Sequence, residues 1–293
     1  MTMREGYAQY LADAEALAQK RYGKYFIRQG RRYVAPFRIY GNVWYVGDNW
    51  VCVHLIDTGD GLLLLDAGNC GAEASLLSAI AEAGFRPSDV RWIVLSHGHM
   101  DHFGASEFFR DAFGTQVLLG APDAQMLREQ PERTLIHHTG SAAVTLPTVD
   151  RELADGETVR FGGTEVMFRL VPGHMDGCVA AFFDAHGELG VKRCGWYGGF
   201  GFNTLEKNYL LELGDTSFSR RAIYLESLAK VRDEHVDIFL GNHPHNNDTL
   251  GRMRRMLEHP DAPNPFLDPD AWGAYLDKKR EKLLEFMADP KNN

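Results

Sequence analysis

Cysteine is scarce: Cys52, Cys70, Cys178 and Cys194 are scattered through 293 residues without a Cys-x-x-Cys pair. That spacing argues against a zinc knuckle or a disulfide framework and leaves buried thiols as the reading. Basic residues are outnumbered, 31 Lys and Arg against 40 Asp and Glu, giving a formal charge of −9. Such a chain is poorly suited to a nucleic-acid groove or a polyanionic substrate, although bound dications would offset the charge locally. No apolar run approaches membrane-spanning length, and Met1 to Tyr10 lacks the basic start and apolar core of a secretory signal. The expectation is a cytoplasmic protein with a small-molecule substrate, no nucleic-acid or membrane partner and scope for a homo-oligomer. A native start further upstream would instead admit export to the periplasm. Repeats and low-complexity tracts are also missing. What remains, 44% hydrophobic and 24% charged, suits a globule with chain enough for a sizeable core.

Against that plain background one stretch stands out, Ser96-His97-Gly98-His99-Met100-Asp101-His102-Phe103-Gly104, directly after the apolar run Trp92 to Leu95. In extended backbone, side chains two apart point the same way, so His97, His99 and Asp101 converge while His102 swings off. Neutral imidazoles with one carboxylate form a nitrogen-rich, borderline-soft set that suits zinc. A catalytic zinc takes about three protein ligands and leaves room for water, so two ions need six ligands and this motif supplies four.

The remaining two must come from downstream. Val166 to Val171 reads as a strand running into Pro172-Gly173-His174, where proline and glycine set a tight turn that presents His174. Val236 to Leu240 reads as another strand, ending in Gly241-Asn242-His243-Pro244-His245. His243 shares the setting of His97 and His174 and is favoured over His245 as the sixth ligand. His137-His138 lies in an irregular stretch, read as a loop near the site, and His186 as a turn residue in Ala185 to Glu188. Asp66, at a strand end before Ala67-Gly68, is either a turn or helix cap or an acid that orients a metal-bound histidine. The loop from Gly195 to Asn203, rich in glycine and aromatics, is either an irregular packed loop or a ligand-binding wall.

Periodicity supplies the frame. Helices are expected at Glu5 to Gln19, Ala72 to Gly84, Phe103 to Phe113, Pro122 to Gln130, Thr216 to Glu234 and Asp270 to Met287. An antiparallel meander is expected over Phe37 to Val46, Val51 to Ile56 and Leu62 to Leu65, with a further strand at Gln116 to Gly120 and a hairpin beginning at Val179 to Phe183.

Taken together, Leu65-Asp66-Ala67-Gly68, His97-Gly98-His99-Met100-Asp101-His102, Pro172-Gly173-His174 and Gly241-Asn242-His243-Pro244 resemble the metallo-β-lactamase superfamily. The resemblance covers most of residues 37–258. It implies an α+β fold, a four-layer αββα sandwich, with a dinuclear centre at one edge. By it, His97, His99 and His174 would hold a first zinc, and Asp101, His102 and His243 a second. The corresponding division is an N-terminal helical extension over 1–36, a catalytic domain over 37–258 and a C-terminal helical extension over 259–293. Many superfamily hydrolases carry a bridging aspartate in a Gly-Asp turn between the last two histidines, where this chain has Tyr197-Gly198-Gly199. The missing bridge and the His-Pro at the last ligand are similar to the third subclass of true metallo-β-lactamases. Met175-Asp176 departs from their usual Thr-Pro-Gly.

The chemistry implied is zinc-dependent hydrolysis of a cyclic amide, foremost a β-lactam, by a metal-bound hydroxide. Asp101 would anchor the second metal and orient the hydroxide, and Tyr197 or Asn203 would help at the oxyanion. The alternatives are a lactone, thioester or other ester on the same scaffold, and, from another class, a non-enzymatic metal-binding module.

Overall fold

A computed structural model describes residues 32–136 and 145–292. The helix expected at Glu5 to Gln19 and the pair His137-His138 lie outside the described residues. The organising pattern is visible in one strand, β4 (Leu62–Leu65), four leucines that are all buried. Alternation sends Leu63 and Leu65 to one face and Leu62 and Leu64 to the other, and each pair joins a different hydrophobic cluster. A strand apolar on both faces belongs in the middle of a layered fold.

Two sheets realise this. The first has seven strands in sequential order: β1 (Phe37–Tyr40), β2 (Val43–Tyr45), β3 (His54–Asp57), β4, β5 (Val90–Val94), β6 (Gln116–Gly120) and β7 (Arg151–Leu153). It is antiparallel up to β4 and parallel from β4 to β7. The second runs β12 (Ile238–Gly241), β11 (Gly190–Tyr197), β10 (Val179–Gly187), β9 (Thr164–Leu170), β8 (Thr158–Phe161), with only the β11–β12 pair parallel.

The inner faces of both sheets pool into one cluster, where Leu63, Leu65 and Val94 meet Phe168, Phe183, Trp196 and Leu240. The outer faces are covered by helices. Leu76 and Ile80 of α1 (Glu73–Glu82), Phe109 of α3 (Ser106–Phe113) and Met126 of α4 (Ala121–Glu129) cover the first sheet. Tyr224 and Leu228 of α6 (Ser219–Val231) and Trp272 and Leu276 of α8 (Ala271–Ala288) cover the second. The result is the four-layer αββα sandwich. Trp272 stacks edge-on against Phe182 and Phe239, each at 5.4 Å, and its indole N–H donates to the Val231 carbonyl at 2.8 Å. The C-terminal helix is thereby part of the hydrophobic core.

Local departures from expectation have local causes. The helix expected over Phe103 to Phe113 is two, α2 (Met100–Phe103) and α3, parted at Gly104-Ala105. There the chain presses onto the turn after β4: Gly104 N–H donates to the Gly68 carbonyl at 2.7 Å, and a Cβ on Gly104 would sit 1.9 Å from the Asn69 carbonyl oxygen. His186 is paired with Val191 near the end of β10, so the hairpin turns later, at Glu188-Leu189. The short helices α5 (Lys207–Glu212) and α7 (Thr249–Glu258) were not anticipated. All four cysteines are free and buried. Among the described residues no helix is long and apolar enough to cross a membrane.

Trp272→Ala should remove the aromatic contacts and the indole hydrogen bond together. The expected loss is about 3–5 kcal/mol, read as a lowered midpoint in urea denaturation.

Candidate metal centre

The loops that follow β4, β5, β9, β11 and β12 meet at one edge of the sandwich. A hydrogen bond from Val179 N–H to the Ser96 carbonyl, 3.0 Å, ties them across the two sheets, and one from Gly198 N–H to the Val179 carbonyl, 2.9 Å, ties the end of β11 to β10. The loop after β5 carries His97 and His99, and the turn after β9 brings His174 against them. His99 Nδ1 lies 3.1 Å from His97 Nε2 and 3.0 Å from His174 Nε2. His97 also forms a group with Asp101 and His102, with ligand atoms within 4.8 Å of one another. His243 reaches this second group through Asp101, whose Oδ2 is 3.8 Å from His243 Nε2 and 3.7 Å from His102 Nε2. The six residues expected to act as ligands are therefore brought together.

Their outward nitrogens fix which atom faces inward. A carbonyl oxygen only accepts hydrogen bonds. His174 Nδ1, 3.0 Å from the Gly201 carbonyl, and His243 Nδ1, 2.5 Å from the Trp50 carbonyl, must therefore carry the proton. In the neutral rings Nε2 is then a bare lone pair. His102 Nδ1 is held by Asp66 Oδ2 at 2.7 Å, and Asp66 Oδ1 accepts the Ser96 N–H at 2.6 Å. Asp66 thus takes the second of its two readings, orienting a histidine, from a left-handed turn (φ 64°) at zero exposure.

Electrostatics follow from crowding. Burial, then the neighbouring imidazoles, hold His97 and His174 well below the usual histidine range. Burial opposes the charge on Asp101 as well, but His102 and His243 outweigh it and hold the carboxyl low. Burial likewise works against a charged His102, and Asp101 and Asp66 overcome it to raise that ring. Three inward lone pairs about 3 Å apart repel unless a cation or proton lies between them. Tetrahedral zinc, with Zn–N near 2.0–2.1 Å, sets its nitrogens about 3.3 Å apart. A small relaxation of the observed rings reaches that figure, so the donor set fits the metal.

Where a bridging aspartate would be sought there is no room for any side chain. A Cβ on Gly198 would meet Ser96 Cβ at 2.6 Å, and one on Gly199, at φ 82°, would meet Cys178 Sγ at 2.5 Å. Asp184 is paired with Arg193, and Asp215 receives the backbone N–H groups of Ser219 and Arg220, so neither reaches the centre.

A family model described as the metallo-beta-lactamase superfamily matches residues 51–184. That stretch of the chain is similar to the superfamily and carries the first histidine loop and His174. Among solved structures of the superfamily, FEZ-1 metallo-beta-lactamase from Legionella gormanii is 26% identical, with a TM-score of 0.76 over 87% of this chain and 96% of that one. BJP-1 from Bradyrhizobium japonicum, a subclass B3 metallo-beta-lactamase, has a TM-score of 0.75 over 89% and 97% of the two chains, and its 24% identity speaks to the fold. A hydroxyacylglutathione hydrolase of Cereibacter sphaeroides is 32% identical over 139 residues, 47% of this chain and 44% of that protein. The match thus spans less than half the length of such curated relatives.

The cluster opens into a cavity of about 450 Å³, a size suited to a small molecule. Asn203 lines it, with Oδ1 placed beside Gly201 and His174. Tyr197 is not among the lining residues: its ring lies against Phe200, centroids 4.2 Å apart, and is 1% exposed. His245 lines the rim, stacked on His243 at 5.4 Å. Three contributors were missed. Asn69 and Asn242 line the cavity at 1% and 0% exposure, and among the described residues neither carboxamide has a hydrogen-bond partner. Asp123, buried in the first turn of α4, accepts Gly98 N–H at 2.8 Å and Gly177 N–H at 2.6 Å, joining the two histidine loops. An acid after proline at a helix start carries no sequence signal for that task.

Asp66→Ala should leave His102 free to rotate and weaken zinc retention about 10- to 100-fold, measured by competition with a chromophoric chelator. Asp123→Asn should not substitute for the carboxylate, because its amide can accept only one of the two N–H bonds. A loss of about 1–3 kcal/mol in equilibrium unfolding is expected.

Proposed function

We propose that this chain is a dizinc hydrolase whose substrate is a β-lactam. The observation that carries the reading is the cavity-facing pairing of His97, His99 and His174 with Asp101, His102 and His243, most of whose outward nitrogens are already committed to fixed acceptors. The first three would hold one zinc and the second three another. Bound zinc supplies a water acidified towards neutral pH and a Lewis acid for the scissile carbonyl.

The chain's own groups do the positioning. Asp101, 24% exposed, is a carboxylate open to the cavity and would accept a hydrogen bond from the attacking water. Asn203 lines the cavity, and its carboxamide N–H would donate to the oxygen on which negative charge develops. Trp50, Phe200 and Phe202 line the cavity and exclude bulk water from the reacting bond. Tyr197 has no part here, since its hydroxyl lies behind Phe200.

The β-lactam is favoured by the named lactamases that match nearly their whole length and by the side-chain-free end of β11. A thioester, lactone or other ester is the second reading, favoured by the relatives named hydroxyacylglutathione hydrolase.

A chromogenic cephalosporin assayed with zinc-loaded and chelated protein tests the choice. A zinc-dependent kcat/KM of roughly 10⁴ M⁻¹s⁻¹ or more is expected; a value orders of magnitude lower, beside efficient thioester turnover, would select the second reading. Asp101→Ala should cost about 10²- to 10³-fold in kcat on whichever substrate is turned over.

A further inference from the structure

Part of the cavity wall comes from α8, which contributes Lys279 and Lys282. Residues three apart share a helix face, so both side chains reach the same opening. Lys279 is half-buried. Its Nζ donates to the Phe200 carbonyl at 3.0 Å and lies 5.0, 5.6 and 5.7 Å from the ring centroids of Phe202, Tyr275 and Phe200. Lys282 is exposed at the rim.

Neither ammonium group has a carboxylate within ion-pair distance among the described residues. By contrast Lys230, Arg232 and Arg252, on the neighbouring helices, each have one at 2.8 Å. Burial, then Lys282 and Lys278, lower Lys279 to about 8. In a chain of net charge −9, a desolvated cation with no counter-charge among the described residues favours an anion beside it. An ammonium has three donors, and the Phe200 carbonyl uses one.

The position of the pair ties it to the metal centre. Phe200 offers its carbonyl to Lys279, and the next residue, Gly201, offers its own to His174. One peptide unit, about 3.8 Å between Cα atoms, therefore separates the anchor of the lysine from the anchor of a metal-facing ring.

We propose that Lys279 and Lys282 form an anion subsite that receives a carboxylate of the substrate, while Phe200 and Phe202 pack its apolar body. The substrate class is then a carboxylate-bearing acyl compound, held at its charged end by α8 with its scissile carbonyl towards the metal-facing side chains. This rests on the hydrolase reading for the reacting bond, and the subsite itself is testable without it.

The zinc-loaded enzyme is assayed with a chromogenic cephalosporin bearing its free carboxylate and with the methyl ester of the same compound. Contacts to a charged group contribute roughly tenfold to a hundredfold, so kcat/KM should favour the acid by about that factor, mainly through KM. In the double variant Lys279→Gln with Lys282→Gln the preference should largely vanish. Lys279→Arg, which keeps the charge, should restore most of it, and Lys278→Gln, outside the cavity, should leave it intact. A preference that survives the double substitution overturns the subsite, as does its absence from the unsubstituted enzyme. If no cephalosporin is turned over, the β-lactam reading fails alone. The subsite is then decided by calorimetric titration of the zinc-loaded protein with benzenesulfonate, a poor zinc ligand. Binding weakened at least about tenfold in the double variant supports it, and equal or undetectable binding in both proteins overturns it.

Discussion

Several imidazoles crowded into a buried space turn repelling lone pairs on one another, and a hydrogen bond to the outer nitrogen is what holds a ring in that orientation. That constraint governs the whole edge of the sandwich. Ring centroids of His97, His99, His102 and His174 lie 4.3–4.8 Å apart in their contacts with His97, and His243 stands 5.0 Å from His102. The pins are Asp66 and the carbonyls of Gly201 and Trp50, and each comes from a different loop. Moving any of these loops would rotate a ring and change which nitrogen faces the cavity. The rigidity of two sheets packed through a common core is what keeps three such pins in place at once.

Much of this was legible in the sequence because the ligands follow strands. His97, His174 and His243 each come within three residues of the end of an apolar run, and a strand end is where such a run can present a polar side chain. The histidine spacing around Gly98 made the first group readable without any tertiary information. The pins were less legible. A backbone carbonyl leaves no mark on the residue type that carries it, so nothing distinguishes Trp50 or Gly201 in the sequence. Asp123 was hidden for a related reason: its partners are N–H groups, which every residue except proline possesses. The boundary between α2 and α3 was missed because the periodicity of Phe103 to Phe113 is helical throughout, while the close approach of Gly104 to Asn69 is a tertiary fact.

The C-terminal helix joins stability to the site. Trp272 and Leu276 bury it against the second sheet, and a turn further on Lys279 and Lys282 face the cavity. Phe200 is shared between these roles, stacking on Tyr197 and meeting Tyr275 edge-on at 4.7 Å while its carbonyl holds Lys279. A segment read from sequence as an appended extension thus supplies both core and wall.

The bond from Asp123 to Gly98 and Gly177 crosses from the first half of the chain to the second. The donor atoms are divided along the same line, with His97, His99, Asp101 and His102 on one side and His174 and His243 on the other. Neither half alone holds all six residues, so a metal centre that drew on every one of them would need the two halves joined. The coupling runs in both directions, because a ligand that prefers the assembled chain adds about 2.7 kcal/mol to its stability at a hundred times the dissociation constant. Scarcity of metal would therefore be felt first as a loosening between the two sheets.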